Sequence, residues 1–69
     1  MHHLEITEVD RRRWMITGQT SRHSPSVPEL VKYARDRWQY ASRRRGVTST
    51  GMIRDDAGRI VTQWVWRRV

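Results

Sequence analysis

Arginine is the residue type in this chain with the most chemistry to offer. Thirteen arginines and one lysine stand against seven carboxylates, a formal charge of +7 in 69 residues. Eight of these fourteen cations fall in three runs, Arg11–Arg13, Arg43–Arg45 and Arg67–Arg68. A guanidinium is a rigid fork of donors that fits phosphate or carboxylate oxygens. Runs of it point to nucleic acid, an acidic protein surface or anionic lipid as the partner. The excess of Arg over Lys, with no Phe and no Asn, is also what GC-rich coding produces. A GC-rich bacterium, or a phage or plasmid within one, is therefore the expected source, and the charge carries more weight than the choice of Arg.

The remaining reactive side chains form no catalytic or metal set. Asp55 and Asp56 sit in a turn sequence, Asp-Asp-Ala-Gly, and turn formation accounts for them. His23-Ser24 lacks both a third orienting group and an oxyanion donor. The three histidines lack metal-ligand spacing, there is no cysteine, and no Gly-rich phosphate loop is present. No catalytic residue, metal or cofactor is expected. No apolar run suffices to span a membrane and no signal-peptide core leads the chain, so a cytoplasmic protein with no membrane partner is the expectation.

The elements that must place the arginines are ordered around Ser26 to Gly46. Ser26 with Glu29 three residues on is a capping box, Pro28 belongs in a first turn, and Gly46 suits a helix stop. This predicts a helix over 27–45. Leu30, Val31, Ala34, Trp38 and Ala41 form its apolar stripe, about 100° wide, with Lys32, Arg35, Asp36, Gln39 and Arg43 opposite. On one flank Tyr33, Arg37, Tyr40 and Arg44 alternate, either covering the core edge or offering an aromatic–Arg strip to bases and phosphates.

Before the helix, residues 4–9 and 13–17 read as strands joined by a turn near Asp10–Arg12, followed by a polar loop from Gly18 to Pro25. After it, 48–54 and 59–68 read as strands around the Asp55–Gly58 turn. The expected fold is α+β: a single small ββαββ domain over 1–69, an antiparallel sheet with one helix on one face. Chain direction then gathers Arg11, Arg12, Arg13, Arg43, Arg44, Arg45, Arg67 and Arg68 at one end and Asp55 and Asp56 at the other.

Alternation predicts Leu4, Ile6, Trp14, Ile16, Met52, Ile60, Trp64 and Trp66 on the helix side. Val9, Met15, Ile53, Val61 and Val65 would stay on an open, partly apolar face, a candidate interface for a homodimer. A register slipped by one would instead put the tryptophans outside. The leading expectation is a non-enzymatic nucleic-acid-binding accessory or regulatory protein, with Tyr33, Arg37 and Tyr40 joining the eight arginines on DNA or RNA. The alternatives are a module that binds a host protein, through its open face or an acidic surface, and a small toxin-like RNase.

Overall fold

The computed structural model describes residues 1–68. Five elements follow in order: β1 (His2–Asp10), β2 (Met15–Ser24), α1 (Val27–Ala41), β3 (Val47–Arg54) and β4 (Ile60–Arg67). They form one antiparallel sheet in the order β2-β1-β3-β4. α1 lies on one face, over β2, β1 and β3. This is the expected α+β arrangement, ββαββ.

The start of α1 is built as its sequence dictates, with one added partner. Ser26 Oγ accepts from the Glu29 N–H at 3.3 Å. The return leg of the capping box runs through Ser24: the Ser26 N–H donates to Ser24 Oγ, which in turn donates to Glu29 Oε2 at 3.0 Å. The end of α1 differs from expectation. The helix stops at Ala41 with Ser42 as its cap, four residues before the predicted limit. Residues 42–46 must carry the chain from the helix layer down to the sheet, roughly 10 Å, because Val47 already pairs with Asp10. Arg43–Arg45 therefore lie on a turn and not on the helix. Gly46, at φ +81°, makes the final bend into β3 and leaves room for the Arg12 stem, which a Cβ would meet at 3.1 Å.

The segment from Gly18 to Pro25 is also corrected. Its polar residues are strand as far as Ser24, each pairing with β1 from His2 to Glu8. An edge strand has one hydrogen-bonding side free and needs no apolar alternation. The expected loop shrinks to Pro25 and Ser26.

Leu4, Ile6, Leu30, Ala34 and Ile53 form the buried core, with Val27, Val31, Tyr33, Trp64 and Trp66 packed around it and Val47 buried beside it. Trp64 and Trp66 face the helix side as expected, but β3 turns the other alternate set inward: Val47, Ser49, Gly51 and Ile53. The reason is volume. Ser49 is paired with Trp66 and Gly51 with Trp64, so small residues accept the two rings. Met52 is displaced outward, and Ile53, expected on the open face, is fully buried. Bulges at Glu8/Val9 and Ile53/Arg54 reset the parity of the flanking residues. Ile16 accordingly pairs with Val9, and Ile60 pairs with Arg54; both are about half exposed. The open face keeps Val9 and Val65, with Ile16 and Met52 joining them, among Glu5, Thr7, Thr50 and Gln63, a mixed surface.

Of the four glycines Gly51 is the most closely covered: the Trp64 indole lies across it, and any Cβ would overlap the ring. Trp64 also stacks on Trp66 (centroids 5.3 Å apart, 27°), which meets Trp38 of α1 at 5.9 Å. Gly51→Ala should force the ring away and cost about 1–3 kcal/mol, read as a lower urea midpoint together with a changed tryptophan near-UV signal.

Candidate functional site

The two ends of the sheet differ in charge because each turn delivers a different residue type. At one end the Asp55–Gly58 turn closes β3 onto β4. Asp55 Oδ1 accepts from the Ala57 and Arg59 N–H groups, and Gly58 adopts φ +80°. Asp56 accepts from the Met1 amino group at 2.9 Å and lies 3.5 Å from His3 Nε2. That amino group, first by hydrogen bond and then by charge, with His3 adding to it, holds the Asp56 carboxyl below its ordinary pKa. The His3 and His23 rings meet edge to face nearby, with centroids 4.5 Å apart. Ser24 is committed to the start of α1, so His23-Ser24 forms no nucleophile–base pair. Among the described residues no group of three or more His, Asp or Glu is placed to hold a metal ion. Among the described residues no helix is long and apolar enough to cross a membrane.

At the opposite end the three arginine runs meet. The Arg11 N–H donates to the Gly46 carbonyl at 2.8 Å, tying the first turn to the exit of α1. The Arg68 N–H donates to the Val47 carbonyl at 3.2 Å, and Arg67 pairs with Thr48. Arg11–Arg13, Arg43–Arg45, Arg67 and Arg68 thus occupy the end of a four-stranded sheet, a width of about 14 Å. All eight are exposed. Among the described residues none of them has a carboxylate within 4.0 Å. Among the described residues, the two carboxylates at this end are otherwise engaged. Asp10 Oδ1 accepts from the Arg12 and Arg13 backbone N–H groups at 2.9 and 3.4 Å, shaping the turn, and Glu8 is buried under α1.

Glu8 is a residue that alternation along β1 would reserve for an apolar side chain. Its carboxylate lies 2.6 Å from Arg37 Nε, off the N–H axis, a charge contact more than a directed hydrogen bond. Gly18 faces Glu8 across the β1–β2 pair. A Cβ there would meet Arg37 Nη2 at 3.1 Å and Glu8 Oε2 at 3.3 Å, so the glycine makes room for the pair. Arg37 is therefore an internal partner that fixes α1 to the sheet, in place of the free cation expected. It still lines an open cleft of about 330 Å³ with Glu8, Thr17, Tyr40, Arg43 and Arg44. Asp10, Arg12, Arg13, Arg44 and Arg45 line a second hollow beside it.

The aromatic residues divide between the ends. Tyr40 is 73% exposed, and Arg43 stands 5.5 Å over its ring. Tyr33, two helical turns away, packs on the core and carries Arg22 at 4.2 Å over its face; it does not reach the cationic end. Trp14, expected in the core, stands at that end. It follows Arg11–Arg13, is 81% exposed and adopts φ +52°, a left-handed conformation rare for a bulky residue. The turn lacks the Gly or Asn that would normally supply this backbone, and that gap was the available signal. Met15 and Ile16 follow it, each about half exposed.

No family model, curated protein or solved structure matches this chain.

Two stability outcomes follow from this geometry. Arg37→Met strands a buried carboxylate and should lower the unfolding free energy by roughly 1–3 kcal/mol, less than a fully buried pair because Arg37 is one-third solvated. Adding Glu8→Gln should return part of that loss in a double-mutant cycle. Trp14→Asn should leave the urea midpoint equal or higher, since Asn tolerates the left-handed backbone.

Proposed function

We infer that this chain is a small non-enzymatic protein that binds nucleic acid by its phosphate backbone, in an accessory or regulatory role. What carries the reading is the meeting of eight exposed arginines from three segments at one end, with no carboxylate partner among the described residues. Like charges held this close repel, and screening with a decay length of about 8 Å softens that cost without removing it. An anionic partner removes that cost. Trp14 and Tyr40, exposed within the same surface, add ring faces on which unpaired bases stack. No helix-turn-helix or zinc module is present to read base edges, so contacts to the backbone dominate and sequence preference is weak.

A second reading, docking on an acidic protein, is favoured by Met15 and Ile16 beside Trp14, which give the cationic end an apolar margin. The two differ in salt response and in stoichiometry with nucleic acid.

Affinity for a short oligonucleotide should fall linearly in log–log salt titration. Replacing Arg43, Arg44 and Arg45 by Ala should flatten that slope by about 2–3 and weaken binding by similar factors on unrelated sequences. An unchanged affinity removes this reading. Trp14→Asn should cost about 1–3 kcal/mol on single strands and much less on duplex, measured by fluorescence anisotropy.

A further inference from the structure

The two edges of the sheet are not alike. β2 is protected: α1 lies over it, the bulge at Glu8/Val9 interrupts its pairing, and from Thr17 to Ser24 it is polar, with Arg22 and His23 at its far end. These are the usual devices that keep an edge from recruiting another strand. β4 has almost none of them. Ile60 to Trp66, IVTQWVW, contains no charge, no proline and no glycine. It is β-branched or aromatic at six of seven positions, and Ile60, Val61 and Val65 are about half exposed. Its single irregularity is a bulge near the Ile60 end that leaves Val61 without a partner on β3. A strand of this composition with one side unpaired is a template for a further strand.

We propose that a second copy of this chain is that partner, and that two copies join antiparallel along β4 to form one eight-stranded sheet. The order Val61-Thr62-Gln63-Trp64-Val65, whose end valines exchange places when it is reversed about Gln63, suits a second copy, and charge selects the direction. β4 starts beside the Asp55–Asp56 turn and finishes at Arg67–Arg68. Parallel pairing would set the two arginine ends side by side. Antiparallel pairing sets Arg67 of each copy opposite Arg59 of the other, which leans toward Asp55, and sends the two cationic ends to opposite poles. With the twofold axis at Gln63, perpendicular to the sheet, both helices stay on one side. Val61 then faces Val65 of the second copy, and Thr62 faces its Trp64. This moves the interface from the open face, which is mixed, to the edge, where Val61 and Val65 are exposed.

Light scattering after gel filtration at micromolar concentration should give twice the 8.3 kDa chain mass. Val61→Lys with Val65→Lys should give the single-chain mass with unchanged circular dichroism, while Met15→Lys with Ile16→Lys on the opposite edge should leave the dimer intact. The chain has no cysteine, so Gln63→Cys should oxidise to a cross-linked dimer. Arg67→Cys should not, since its two copies would lie about 26 Å apart. A monomeric wild type, a polydisperse aggregate, a dimer broken by the Met15/Ile16 change, or cross-linking at 67 in preference to 63 each overturns the proposal. The Cys pair decides the matter even where the double Lys variant fails to fold.

Discussion

The pairing of β1 with β3 is the constraint from which the rest of the molecule follows. These strands are not consecutive, so the chain between them must return β2 and α1 to the place where β1 ended. Asp10 and Val47 sit opposite each other as a result, and the Arg11 N–H reaches the Gly46 carbonyl. Two turns distant in sequence become neighbours in space, and both are arginine-rich. β4 then adds its own basic end because it must run opposite to β3. The separation of charge along the 36 Å long axis is thus a property of connectivity and not of composition.

Two close approaches hold that connectivity in register. At the cationic end Glu8, Gly18 and Arg37 lock α1 over the β1–β2 pair. In the middle Gly51 accepts the Trp64 ring. Each joins a residue with no side chain to one with a large or charged side chain, and a one-residue slip of either strand would collide or leave a void. A buried ion pair adds little net stability because desolvation offsets the attraction, but it does disfavour registers that leave Glu8 unpaired.

Element order, the helix start and the charge segregation were legible in the sequence, since capping residues, turn residues and chain direction are local signals. The helix end was not. Ser42 to Arg45 contains no helix breaker, and only the need to reach Val47 halts α1. Face assignment failed on β3 because both alternate sets carry apolar residues: Val47 and Ile53 in one, Met52 in the other. What decides is the fit of Ser49 and Gly51 to two indoles on β4, a relation between strands. Trp14, Ile16 and Ile60 were misassigned for a related reason, since a left-handed turn and two bulges break the parity that alternation assumes. Within the site, Arg37 looked free until its partner Glu8 emerged from a position that should have been apolar.

The stacking of Trp64 on Trp66, with Trp38 alongside, has an optical consequence. Indoles at such separations exchange excitation, so their far-ultraviolet transitions split into couplets of opposite signs, and the share from Trp38 with Trp66 exists only while β4 is seated against α1. Trp14, 81% exposed at the β1–β2 turn, stacks on none of this trio. One residue type therefore carries two separate reporters, one for the integrity of the packed sheet and one for events at its arginine-bearing rim.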